Sequence, residues 1–177
     1  MKRRFALITA IVLLAPATVW SQSAASGLDK IAVYAGDWTT TIVHNKTIYS
    51  RPRVETTHLH NECWRSADYY ACHQYVDGTS VALVIFTYDA KRGSYKTYNV
   101  PPDGSDGGSG PLLINDDTWT FPWTIHDGGK VVYFRVVNTF HGQDVIQYQQ
   151  EFSSDKLHWT VTATGNERRV LPSTIGS

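Results

Sequence analysis

Neither sign of charge predominates in this 177-residue sequence, which has 16 Lys and Arg against 16 Asp and Glu. No basic nucleic-acid surface is implied, and nucleic acid is not an expected partner. Catalytic signatures are missing as well. There is no Gly-x-Ser-x-Gly elbow, no His-Glu-x-x-His, no phosphate loop and no haem-attachment motif, so nothing in the chain names a reaction. Cysteine is scarce: Cys63 and Cys72 are the two in the sequence, and one disulfide is their simplest use in an exported chain. Low-complexity sequence is confined to residues 101–110 (PPDGSDGGSG), expected to form a mobile loop.

One apolar run stands out, at the N-terminus, where Lys2, Arg3 and Arg4 precede it and small residues follow. That pattern is a secretory signal peptide, assigned to residues 1–23, with cleavage between Ser21 and Ser26. The run is short for a membrane span and is broken by Pro16, and without a cysteine near the cleavage site a lipoprotein anchor is excluded. The mature protein is expected to be exported, periplasmic or secreted, with no membrane anchor. Losing three basic residues leaves it with about three net negative charges. Residues 27–170 make one domain with a real core, and residues 171–177 read as a frayed tail.

The stretch THLHNECWRSADYYACHQYVD, residues 57–77, organises the rest. An antiparallel hairpin that pairs Cys63 with Cys72 also pairs Trp64 with Ala71, Arg65 with Tyr70 and Ser66 with Tyr69, leaving Ala67-Asp68 as a two-residue turn. Alternation then places His58, His60, Glu62 and Trp64 on one face with Ala71, His73 and Tyr75, and the cysteines on the other. Trp64 and Tyr75 argue that the His/Glu face lines an interior, whereas Leu59 and Val76 argue for the cysteine face, so the orientation stays open.

Leu28, Ile31 and Tyr34 or Ala35 are spaced for one or two helical turns, and everything after them reads as strand. Strands are expected at residues 37–44, 54–65, 69–76, 80–88, 95–100, 112–115, 118–125, 131–140 and 145–152, with a last one from Leu157. Residues 80–88 (SVALVIFTY) are apolar on both faces. In the second half the inward sets are Trp119, Phe121, Trp123 and Ile125; Val132, Phe134, Val136 and Phe140; Ile146, Tyr148 and Phe152; and Leu157, Trp159, Val161 and Ala163. About ten strands joined by hairpin-length turns, with no long crossover, predict an all-β, antiparallel up-and-down β-barrel with a short N-terminal helix. A barrel of that size is wide enough to keep a cavity.

Ala35-Gly36-Asp37-Trp38 after a short helix resembles the Gly-x-Trp opening of calycin barrels, the lipocalins and fatty-acid-binding proteins. Gly36-Asp37-Trp38, Glu62-Cys63-Trp64 with Cys72, Thr87-Tyr88-Asp89, Asp117-Thr118-Trp119-Thr120 and Trp159, in that order, resemble the bacterial domain-of-unknown-function 1579 family over residues 28–169. The resemblance implies a calycin-like barrel and no particular activity. It also implies a basic residue packed over Trp38, for which Arg168 and Arg169 are both candidates.

Two sets of residues are candidate sites. An aromatic wall of Trp38, Trp64, Trp119, Phe121, Trp123, Phe134, Tyr148 and Trp159 suits a ligand cavity, or else simple core packing. His58, His60, Glu62 and His73 can supply imidazoles and a carboxylate to a divalent metal, or form a solvated face with a cross-strand ion pair. The leading reading is an exported, noncatalytic barrel that binds a small hydrophobic or aromatic molecule, with no cofactor expected. The alternatives are an enzyme using Glu62 with His73 or His60, directly or through a metal, and a structural or interaction module with a packed interior.

The pairing arithmetic generates a direct test. Thiol counting on the oxidised, denatured protein should find no free thiol, and reduction should lower stability by roughly 2 to 3 kcal/mol on the chain-entropy account of a ten-residue loop. Two titratable thiols in the untreated protein would reject the pairing.

Overall fold

The computed structural model describes residues 24–171. The signal assignment at residues 1–23 and nearly all of the tail at 171–177 fall outside them. A short helix α1 (Ala24–Asp29) runs into a 3₁₀ turn (Lys30–Tyr34), and ten strands follow. They are β1 (Gly36–His44), β2 (Arg53–Arg65), β3 (Tyr69–Val76), β4 (Thr79–Asp89), β5 (Ser94–Val100), β6 (Ser109–Asn115), β7 (Thr118–Asp127), β8 (Lys130–His141), β9 (Val145–Ser153) and β10 (Thr160–Arg169). Each strand pairs antiparallel with its chain neighbours, and β1 pairs β10, so the sheet is a closed up-and-down barrel without a free edge.

The β2/β3 hairpin has the register read from the cysteines: Cys63 faces Cys72, Trp64 faces Ala71 and Arg65 faces Tyr70. Ser66 N–H donates to Tyr69 O at 2.9 Å across the two-residue turn. The disulfide is formed, with Cα atoms 4.1 Å apart, slightly closer than the usual range of about 4.4 to 6.8 Å.

The N-terminal segment plugs one end. Leu28 and Ile31 are fully buried and pack in one cluster with Trp38, Tyr70, Phe86, Trp119 and Ile146. These lie near the strand ends that meet the plug, where aromatic bulk fills the barrel's cross-section. Gly27 sits so close to Tyr88 that a Cβ there would lie 2.4 Å from the ring, and its carbonyl accepts the Tyr95 hydroxyl at 2.8 Å. At the other end Tyr49, from the β1–β2 loop, packs on Phe134 and Phe152 with centroids 5.2 and 4.8 Å away. Its hydroxyl donates to Asp127.

Arg169 rather than Arg168 covers Trp38. The two positions face each other across the β1/β10 ladder, and the guanidinium carbon lies 4.2 Å from the indole centroid. The guanidinium also donates to the carbonyls of Ala35, Val33 and Gln143. Gly36 turns beneath it at φ 102°, a conformation L side chains rarely adopt, and a Cβ there would come 3.1 Å from Arg169 Nη1.

The last strand differs from its expected inward set. Leu157 is 80 % exposed, and Trp159 lies before the strand, on the outer side, with Arg135 3.9 Å over its ring. The cause is local. The Asp155 carboxylate accepts the N–H groups of Leu157 and His158, both at 2.8 Å, so residues 154–158 form a side-chain-bonded loop rather than strand. A bulge between Val161 and Ala163 then shifts the alternation, leaving Ala163 inward as expected.

The plug sets a stability expectation. Arg169→Ala should lower the unfolding free energy by roughly 2 to 4 kcal/mol, and Arg169→Lys should recover less than half of that because an ammonium cannot reproduce the fork. Denaturant titration measures both, and a loss under about 0.5 kcal/mol for the alanine variant would show that this contact is dispensable.

Candidate functional site

The cysteine face of the β2/β3 hairpin points inward. Cys72 and Asn61 are buried, and Leu59, Asn61, Cys72 and Gln74 line an interior cavity of about 400 Å³. Its other walls are Val84, Phe86, Thr97, Asn99, Phe121, Val136, Asn138 and Glu167, and Tyr34 from the 3₁₀ turn lies against the plug as its floor. That volume lies within the range usual for small-molecule sites, about 300 to 1,000 Å³.

His58, His60, Glu62 and His73 consequently lie on the outer face, which decides the orientation that the sequence left open and goes against the alternative of a Glu/His site inside the barrel. Glu62 faces His73 in register, but His73 is committed through Nε2 to Ser80 Oγ at 2.8 Å and through Nδ1 to the Tyr75 hydroxyl at 2.9 Å. His60 Nδ1 lies 2.8 Å from Asp37 Oδ1, and His58 Nε2 lies 3.5 Å from the same oxygen. Among the described residues no three His, Cys, Asp or Glu side chains converge to hold a metal ion.

The aromatic wall divides. Phe121 lines the cavity, and Tyr148 lies on the inward parity of β9. Trp38 and Trp119 are buried in the plug cluster. Trp64 is on the outer face and 43 % exposed, so it does not belong to a cavity wall. Trp123, Phe134 and Trp159 line a second, wider cleft of about 950 Å³ where β6 and β7 part. The β6/β7 ladder covers only Leu113 to Asn115 against Thr118 to Thr120, and Pro111 and Pro122, which flank the parting, have no N–H to extend it. Trp159 lines that cleft from outside the barrel, together with Arg135.

The polar groups at the floor escaped the sequence reading. Tyr34 is stacked at 6.2 Å on Phe86 and edge-on at 5.4 Å to Trp119 and Phe140. Its hydroxyl accepts from Asn138 Nδ2 at 2.9 Å. Asn138 Oδ1 and Thr40 Oγ1 are buried without a hydrogen-bond partner. Glu167, across the ladder from Thr40, is 8 % exposed, and burial pushes its carboxyl up to about 7. Burial, with Glu167 nearby, also pushes the Tyr148 hydroxyl up to about 12 and raises that of Tyr34. A signal for these residues was present: continuing the parity of inward Ala163 reaches Gly165, Glu167 and Arg169, and Asn138 stands between the inward Val136 and Phe140.

No protein-family model matches the chain, and no curated protein does. Solved structures similar to it include the following two. The crystal structure of Rv2717c from M. tuberculosis is 11 % identical with a TM-score of 0.47, covering 82 % of this chain and 98 % of that one. A redesigned beta barrel is 12 % identical with a TM-score of 0.36, covering 79 % and 94 %. Likeness of this degree carries no argument about activity, and the architecture stands on the strand order itself. No helix among the described residues is long and apolar enough to cross a membrane.

Glu167 gives the site a pH signature. A carboxyl raised from 4.5 to about 7 in the folded protein binds its proton more tightly there than in the unfolded chain. The stability it contributes is full below about pH 4.5 and is lost as the pH rises through 7. Relative to Glu167→Gln, the wild type should therefore lose about 3 kcal/mol between pH 4.5 and 8 in denaturant titrations. A difference that stays flat over that interval would mean that the carboxyl is well solvated.

Proposed function

We propose that this chain is an exported, noncatalytic barrel of the calycin-like, domain-of-unknown-function 1579 type that binds a small hydrophobic or aromatic molecule in its interior. The observation that carries this reading is the interior cavity itself, of about 400 Å³, with Leu59, Val84, Phe86, Phe121 and Val136 on its walls and a small polar cluster at its floor. Apolar walls with a few convergent polar groups are the usual form of a ligand site. A module built only to be packed would have no reason to keep Glu167 and Asn138 inside, because apolar residues of similar volume are at least as stable there. Export is supported by the Cys63–Cys72 disulfide, since such bonds persist in oxidising compartments.

Alanine scanning separates the binder from the packed module. Trp119→Ala, packed against the plug, should cost roughly 3 to 5 kcal/mol, whereas Phe121→Ala, which borders the cavity, should cost distinctly less. Small aromatic probes should also alter the tryptophan emission of the wild type. Equal full-sized losses for both variants, with no emission change from any probe, would favour the packed module.

A further inference from the structure

The floor of the cavity holds an imbalance that neither the fold nor the plug explains. Glu167 is more than nine-tenths buried and lines the cavity, and among the described residues no side chain bonds or ion-pairs with its carboxylate. Asn138, on the same cavity wall, has its Oδ1 buried and unbonded, as does Thr40 its Oγ1 across the β1/β10 ladder from Glu167. Buried polar atoms are almost always paired, so an unpaired carboxylate and an unpaired amide oxygen on two residues that line one cavity point to a missing partner. All three can accept hydrogen bonds, and the carboxylate can only accept when ionised.

No cation is available to fill the gap from within. Among the described residues the cavity wall contains no Lys or Arg. Arg169, on the same face of β10, is committed to Trp38 and to the carbonyls of Val33, Ala35 and Gln143. Glu55, the other inward carboxylate nearby, is bonded to His44 and Arg53. Anionic heads are disfavoured by the same arrangement, because Glu167 offers either like charge or, when neutral, a single proton.

Resting on the binding reading above, we infer that the ligand is an amine, with an apolar or aromatic body against Phe86, Phe121 and Val136 and an ammonium head held by Glu167, with Asn138 on the same cavity wall. An ammonium carries three donors and no acceptor, which suits a floor whose unmatched groups are acceptors. Binding an ammonium also restores the carboxylate's charged form, since an ion pair with hydrogen bonds offsets the desolvation that burial imposes.

Three probes of nearly one shape test this: 3-phenylpropylamine, 3-phenylpropanol and 3-phenylpropionate, titrated calorimetrically into the full-length oxidised protein and its Glu167→Gln variant near neutral pH. The wild type should favour the amine over the alcohol and the acid by roughly 10- to 100-fold, the range expected of a charge-assisted hydrogen bond. Glu167→Gln should remove that preference and leave alcohol binding within about threefold, which also reports that the variant's cavity is intact. If the alcohol or acid binds the wild type as well as the amine does, or if the variant keeps the amine preference, this inference fails while the binding reading stands. If none of the three binds the wild type, both fail together.

Discussion

The contact between Arg169 and Trp38 is the one on which the rest of this structure depends, because it joins the last strand to the first over the plugged end. A ten-stranded sheet has to close to lose its edges. Here closure brings β10 alongside β1 with Arg169 facing Trp38, and the guanidinium binds the carbonyls of the plug and of the β8–β9 turn in the same gesture. That register has a second effect two residues earlier, where it sets Glu167 beside Thr40 inside the barrel. The structural lock and the polar floor of the cavity are therefore parts of one strand pairing.

The interior is consequently two-sided. Aromatic and aliphatic groups fill the plug and line the walls, so the barrel's stability rests on apolar burial there. At the floor, Asn138 of β8 donates to the Tyr34 hydroxyl while its own Oδ1 is unbonded, and Glu167 of β10 lies across the ladder from Thr40 of β1, whose Oγ1 is unbonded too. Leaving buried acceptors unmatched costs about 1 to 3 kcal/mol each, a penalty that a bound molecule with donors relieves. The outer face carries its own polar pairs, such as Arg135 with Glu151 and His60 with Asp37. These have their partners already.

Much of the fold was legible from residues, and what failed has identifiable causes. The hairpin register followed from two cysteines and a two-residue turn, because antiparallel pairing leaves no freedom once one pair is set. Strand number and meandering order followed from turn residues at regular spacing. Which hairpin face points inward was not legible, since Trp64, Leu83 and Ile85 make the outer face of β2 to β4 as apolar as the inner one. Trp159 was misplaced because parity assumes unbroken strand, and Asp155 captures the backbone of Leu157 and His158 just before it. Glu167 was missed although parity reaches it, because attention to apolar positions passes over a carboxylate that alternates in step with them. The basic partner of Trp38 could not be chosen between adjacent arginines until the β1/β10 register was known.

The central claim is that the interior cavity belongs to a small molecule. Native mass spectrometry of the protein purified under mild conditions from its own host tests it most directly. The account predicts a species heavier than the disulfide-bonded chain by one small organic molecule, which organic extraction releases. A spectrum showing only the bare disulfide-bonded chain, with nothing extractable, would contradict it.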